Sequence, residues 1–219
     1  MTEITNYITN DYKAIDSQET IAAVQDFFND QNFSHFPVVE EGVYIGSIAC
    51  DDAETFDSFK KIYDYRYSLE GFFARSTMIW LDILEVFAKN KTNLIPVLDE
   101  NSKYVGYYEI SDVMNFFHKT PFLQEPGGII VIQKRTLDYS MSEITQIIES
   151  NNGKILGLFI SEADSENIQV TIKISLGIMN EIIQSFRRYN YEIMSEHFED
   201  NYINTLKERS DYLDKYLNI

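Results

Sequence analysis

His35-Phe36-Pro37-Val38-Val39 leads into Val43-Tyr44-Ile45-Gly46, with Asp52 six residues after the glycine. The chain then repeats itself. Leu94-Ile95-Pro96-Val97-Leu98-Asp99 leads into Tyr104-Val105-Gly106, with Asp112 six residues after that glycine. Pro37 to Pro96 is 59 positions and Gly46 to Gly106 is 60. The odd residue falls in the turn, Glu40-Glu41-Gly42 against Glu100-Asn101-Ser102-Lys103. A shared frame that changes length only at a turn indicates duplication, because loops tolerate insertion and strands do not.

The frame extends upstream. At an offset of 59, Ser17 falls on Ser76, Ile21 on Trp80, Val24 on Ile83 and Phe28 on Phe87. After the serine, each set has apolar residues at helical spacing, so an amphipathic helix precedes each strand pair. Asp16 and Glu19 are expected to form a capping box for the first helix. Each copy then reads helix, strand, tight turn, strand, helix, and the closing helices are expected to start near Asp51 and Ser111.

These motifs resemble a tandem pair of CBS domains, the regulatory unit called a Bateman module. The resemblance rests on Phe36-Pro37-Val38 and Ile95-Pro96-Val97, on Gly46 and Gly106, and on Asp52 and Asp112. It covers roughly residues 1–120. It implies repeats at 1–60 and 61–120, dimerisation through helical faces, and adenosine-type ligands in clefts between the repeats.

Composition sets the outer limits. At 219 residues, 44% hydrophobic and 14% aromatic, the chain can pack one large or two modest cores. No basic, apolar leader and no run near 18 apolar residues is present, and the one cysteine, Cys50, makes no intrachain disulfide. A soluble, cytoplasmic protein is expected. The net charge of −17 is uneven: residues 1–126 hold 9 Lys/Arg against 21 Asp/Glu, or −12. Nucleic acid and anionic membranes need clustered cations, so neither is expected as a partner.

Beyond Pro126-Gly127-Gly128 the pattern changes. Ile129–Ile132 reads as a strand, Ser142–Ser150 as a helix ended by Asn152-Gly153, and Ile155–Ser161 and Ile168–Ile174 as two strands. A helix follows with Ile178, Ile182, Ile183 and Phe186 on one face, and Tyr191–Met194 closes the set. The order βαββαβ is that of a ferredoxin-like module. Following a CBS pair, it resembles an ACT domain, as in acetoin-utilisation-type CBS–ACT proteins. ACT domains usually carry Asp-x-Pro-Gly where the first strand turns into the first helix; here that turn is Asp138-Tyr139-Ser140-Met141, so a module used for assembly rather than amino-acid binding is implied. The fold class is therefore α+β: a CBS pair, an ACT-like domain at 128–199 and a C-terminal helix at 200–219.

The resemblance also points to site residues. In CBS pairs an aspartate at the start of the closing helix bonds ribose hydroxyls, which implies Asp52 and Asp112. A Ser/Thr three residues earlier usually sits by ribose or phosphate, and here those positions are Ala49 and Glu109. Two like charges near 4 Å repel by roughly 4 kcal/mol at an intermediate dielectric, so Glu109 opposes a phosphate. Both aspartates also suit a helix N-terminus. For Asp112 the two roles stand level, whereas capping is favoured for Asp52, beside which Asp51 can substitute. Phe36, Pro37, Ile95 and Pro96 complete the expected ligand-binding set, with Ile95 and Pro96 flanking a base.

No catalytic constellation, metal site or cofactor motif is legible. His35, His118 and His197 are scattered without metal-ligand spacing. P-loop, dinucleotide fingerprint and nucleophile elbow are all missing. The chain reads as a stand-alone, non-enzymatic regulatory homodimer that senses an adenosine-type ligand. The alternative is a ligand-free CBS–ACT scaffold that has lost its nucleotide pocket.

Overall fold

The computed structural model describes residues 4–175 and 179–194. The expected C-terminal helix, Ile178 and His197 lie outside the described residues. The chain divides into two compact units, at 1–119 and 120–219.

The first unit holds two copies of one motif. In the first copy, β1 (Ile15–Asp16), α1 (Ile21–Asp30), β2 (His35–Glu40), β3 (Val43–Ala49) and α2 (Cys50–Thr55) follow in order. In the second, β4 (Ala74–Arg75), α3 (Trp80–Asn90), β5 (Leu94–Leu98), β6 (Tyr104–Glu109) and α4 (Ile110–His118) do the same. Each copy makes a three-stranded sheet, β1-β2-β3 and β4-β5-β6, with one parallel and one antiparallel pairing. Pro37 and Pro96 occupy the middle strands, one residue before the short parallel strand begins to pair at Val38 and Val97. A missing donor costs least there.

The turns differ as the sequence implies. Glu41 and Gly42, at φ 49° and 81°, form the two-residue hairpin whose twist suits paired strands. In the second copy Asp99 accepts from the backbone N–H of Asn101 and Lys103 at 2.9 and 2.8 Å, closing a longer Asx-type turn. One expectation is corrected. Thr20, not Asp16 with Glu19, caps α1: its hydroxyl accepts from Ala23 N–H at 3.3 Å, while Asp16 accepts from Gln18 N–H in the preceding turn. The helix starts one turn later than a box at Asp16 requires.

The copies are interlocked rather than side by side. The segment ahead of β1 crosses to the second copy, where Thr9 and Tyr107 exchange backbone bonds of 3.0 and 2.9 Å. The segment ahead of β4 crosses back, where Ser47 and Glu70 exchange two of 2.8 Å. Gly46 and Gly106 lie under these crossings, both at φ +145°. A Cβ on Gly46 would come within 2.8 Å of Leu69 Cβ, and one on Gly106 would run into the Thr9 carbonyl. The repeated glycine therefore permits a close backbone approach rather than a turn. The cores interlock too. Leu94 and Tyr107 of the second copy pack in the first core with Ile21, Phe36 and Ile48, while Ile4 from the chain start packs in the second core with Ile83, Ile95 and Tyr108. Ser34 and Asn93, 59 residues apart, meet: Asn93 Oδ1 accepts from Ser34 N–H at 2.9 Å, and Ser34 Oγ accepts from Asn93 N–H at 3.1 Å.

The second unit opens with a short helix, α5 (Pro121–Gln124), followed by β7 (Gly127–Arg135), α6 (Met141–Ser150), β8 (Ile155–Ala163), β9 (Asn167–Ser175), α7 (Met179–Arg188) and β10 (Glu192–Ile193). The sheet runs β10-β7-β9-β8, with the three pairings all antiparallel. This is the ferredoxin-like arrangement. Ile130 and Ile132 of β7 alternate with outward residues and, with Val170, Ile172 and Ile174 of β9, pack against Ile144, Ile148, Ile182 and Phe186 of the two helices.

Candidate functional site

In each repeat the outer strand runs into the closing helix without a loop. β3 becomes α2 at Cys50, and β6 becomes α4 at Ile110. The last strand residue is thus the helix N-cap: Ala49 in one copy, Glu109 in the other, both with extended backbone and no side-chain cap bond. Ser and Thr are favoured at such a position because their oxygen satisfies a free helix N–H. Alanine cannot accept, and Glu109 does not turn back to do so. Asp52 and Asp112 stand in the first helical turn, where the dipole favours an anion.

The second copy builds a cleft around this point. It has a volume of about 400 Å³ and is lined by Glu109, Ile110 and Ser111 together with Tyr12, Phe33 and Asn93, among others. The crossing segment brings Tyr12 here, since Thr9 is zipped to β6 next door. Tyr12 meets Phe27 and Phe33 edge-on at 5.8 and 5.9 Å, giving the cleft an aromatic wall. Burial, and then the Asp112 and Asp11 carboxylates, push the Glu109 carboxyl above its ordinary value. Burial also pushes Asp112 up. The cleft therefore combines an aromatic wall, amides and an acidic end.

The other expected residues fall differently. Phe36 and Ile95 are wholly buried in the two cores, and Pro37 and Pro96 are buried beside them in the middle strands. Their side chains hold the sheets together, and the residues that reach the cleft lie just upstream, at Phe33 and Asn93. Asp52 is half-buried on α2. His35 sits at the strand edge, its Nδ1 3.0 Å from Ser34 Oγ and its Nε2 3.4 Å from Glu70. Sequence reasoning missed Tyr12, Phe33, Asn93 and Asp11. Asn93 carried a signal, since it aligns with Ser34 immediately before the repeated strand.

Comparison with known proteins bears on the first unit. A CBS domain family model matches residues 3–53 and 72–119. The first unit is a CBS domain pair. Several solved structures resemble the chain at low identity. A CBS domain pair/ACT domain protein from Thermotoga maritima is 17% identical, with 53% of this chain and 96% of that one covered and a TM-score of 0.48. The CBS domains of a transcriptional regulator from Streptococcus pneumoniae are also 17% identical, covering 52% and 98%, with a TM-score of 0.46. A hemolysin-like CBS protein from Oenococcus oeni is 20% identical, covering 52% and 88%, with a TM-score of 0.42. No curated protein matches the chain in sequence.

The second unit is ACT-like in its βαββαβ order, and its first strand-to-helix turn is already occupied. Arg135 Nε donates to Asp138 at 2.7 Å, and Ser140 caps α6 by accepting from Glu143 N–H at 3.3 Å. Lys134 Nζ lies 2.6 Å from Glu143, whose carboxyl this bond holds below its usual value, and 4.1 Å from the centre of the Tyr191 ring. The basic doublet Lys134-Arg135 is thus engaged by neighbouring acids. Among the described residues no group of three or more His, Cys, Asp or Glu could hold a metal ion, and no helix is long and apolar enough to cross a membrane.

Proposed function

We propose that the chain is a non-enzymatic regulatory homodimer that senses an adenosine-type ligand in the cleft at the start of α4. The observation that carries this reading is the cleft itself: Tyr12 and Phe33 give it aromatic lining for a base, and Asp112, in the first turn of α4 beside Glu109, is the acid that would accept from ribose hydroxyls. Glu109 then sets the ligand's charge. A triphosphate entering beside Glu109, Asp112 and Asp11 meets three carboxylates, whereas a neutral or cationic adenosyl compound does not. The ACT-like unit, with its turn residues paired internally, serves assembly.

Titration calorimetry tests this with adenosine, a cationic adenosyl compound and metal-free ATP. Adenosine is expected to bind more tightly than ATP, Glu109→Thr to improve ATP and Asp112→Ala to remove adenosine binding. Metal-free ATP binding the wild type more tightly than adenosine overturns the charge argument. If no adenosine compound binds, the ligand-free scaffold becomes the better reading. A gel-shift assay at low salt is expected to give no submicromolar complex with DNA or RNA.

A further inference from the structure

The two helices of the second unit cover one face of its sheet, and the other face is zoned. Directly opposed residues of an antiparallel sheet share a face, so the rows follow from the register. Gln133 and Gln169 form a polar row with Glu192: Gln169 Nε2 donates to Gln133 Oε1 at 3.0 Å, and Gln133 Nε2 to Glu192 at 3.4 Å. The next rows, Val131-Thr171-Phe159 and Ile129-Lys173-Gly157, are mostly apolar. Here α5 covers part of the surface. Phe122 lies on Gly157, where a Cβ would run into its ring, and its ring centre is 6.0 Å from that of Phe159. Ile129 and Phe159 are still 45% and 49% exposed, whereas Lys173 between them is only 8% exposed. Lys173 Nζ lies 3.5 Å from the Leu123 carbonyl and 5.9 Å from the centre of the Phe122 ring. Among the described residues no ion pair joins it to an acid. A buried ammonium without a counter-charge is costly. The face therefore suits an apolar cover that carries a carboxylate.

We propose that the chain's own residues 199–217 cover this face, with Glu199 pairing to Lys173. Two facts favour this occupant over a second copy or a foreign protein. The first is where the described chain ends. β10 runs antiparallel to β7 and so parallel to β9, and Met194 N–H donates to the Val131 carbonyl at 2.8 Å. The chain thus reaches Met194 alongside the apolar rows, heading toward Ile129 and away from the glutamines. Lys173 lies two strands across and two residues on, about 12 Å away. The five residues from Met194 to Glu199 reach about 17 Å. The second fact is the sequence beyond. Ile203, Leu206, Leu213 and Leu217 recur at helical spacing, and Glu199 stands four residues ahead of Ile203, where that stripe begins. A tethered segment also meets its site at a high effective concentration, which a free partner rarely matches.

Hydrogen exchange of the full chain, read by mass spectrometry on peptides from 199–217, tests this, with circular dichroism to verify folding. In the wild type these amides are expected to exchange about 100-fold more slowly than an unstructured chain, at high and low protein concentration alike. Ile129→Asp and Phe159→Asp, both at exposed positions, are expected to speed that exchange about tenfold. Leu137→Asp, at a 97% exposed position in the turn after β7, leaves it unchanged. Glu199→Gln is expected to speed it about fivefold in the wild type and not at all in a Lys173→Met background, a coupling that a merely local role for Glu199 does not produce. Exchange at the rate of an unstructured chain leaves the face open to a foreign protein and overturns the proposal. Protection that falls on dilution assigns the cover to a second copy and overturns it too. Protection that survives both Ile129→Asp and Phe159→Asp overturns the surface. Glu199→Gln acting equally in both backgrounds overturns the ion pair.

Discussion

The two CBS repeats share a backbone and differ in almost everything that faces outward. Both use a proline-bearing middle strand, a glycine under a crossing segment and an aspartate in the first turn of the closing helix. The helix N-cap is alanine in one and glutamate in the other, and the outer helical face is polar in one and apolar in the other. Where a duplicated fold keeps its interior and changes its surface, the interior reports on folding and the surface on function. Four pairs of equivalent positions put this division to the test.

The first place is the pair Phe36 and Ile95, which occupy equivalent positions and are both fully buried. Phe36→Ala is expected to cost about 4 kcal/mol and Ile95→Ala about 3 kcal/mol. Because Leu94 and Tyr107 belong to the first core and Ile4 to the second, the two repeats are expected to unfold together. Urea denaturation followed by circular dichroism checks both the cost and the coupling. Separate loss of one repeat in either variant breaks the picture of interlocked cores.

The glycines come next, and here the copies are not equal. A Cβ on Gly106 meets a backbone carbonyl, which cannot step aside without moving the crossing segment, whereas a Cβ on Gly46 meets chiefly another Cβ. Both positions also sit at φ +145°, which an L residue adopts only with strain. Gly106→Ala is expected to cost about 3 kcal/mol and Gly46→Ala about 2 kcal/mol, measured by the same titration. Gly106→Ala is also expected to speed amide exchange at Thr9. Equal costs for the two substitutions contradict the difference in their neighbours.

Ser34 and Asn93 sharpen the comparison in a third way, because they are equivalent in sequence yet bond to each other. Asn93 Oδ1 accepts from Ser34 N–H and its Nδ2 donates to the Asn32 carbonyl at 2.7 Å. Asn93→Ala removes both bonds and is expected to cost about 2 kcal/mol, against about 1 kcal/mol for Ser34→Ala. A double-mutant cycle is expected to give a coupling near 1 kcal/mol. Strict additivity shows that the two copies do not communicate through this contact.

Much of this architecture was legible because it is local. The repeated strands, the glycines, both closing helices and the βαββαβ order follow from periodicity and punctuation within a few residues. The two crossings were not legible. Thr9 and Glu70 lie in short irregular segments, and their pairing partners are distant in sequence, so only the glycines beneath them carried a trace. The cleft suffered for the same reason. Glu109 lies in the repeated motif and lines the cleft, but Tyr12 arrives with a crossing segment. Phe36 and Ile95 were expected at the ligand, although apolar residues in a strand flanked on both sides serve a core first. Phe56 and Tyr65 stack on each other at 3.9 Å and Ile62 is buried, so that part of the apolar surface is satisfied within the chain.

The smallest effect separates the two N-cap positions by their response to pH. The Glu109 carboxyl is raised by burial and by its acidic neighbours, so the folded state holds its proton to a higher pH than the unfolded state does. Between the ordinary carboxyl value and the raised one the folded chain binds more protons, and stability therefore falls as pH rises through that window. Above it, the ionised Glu109 remains a net cost to the fold. Solvent in the open cleft screens this cost, which is expected to be about half a kcal/mol or less. Glu109→Gln removes it, raising stability near neutral pH and flattening the slope just above the ordinary Glu range. Ala49→Glu is expected to have the smaller effect, because Asp52 stands beside it without a counterpart known to crowd it as Asp11 crowds Glu109. Thermal melts between pH 4 and 7, at low and high salt, measure both variants. A Glu109→Gln protein that is less stable than wild type at neutral pH shows that Glu109 supports the fold rather than strains it, and the argument that this carboxylate is kept for a ligand then fails with it.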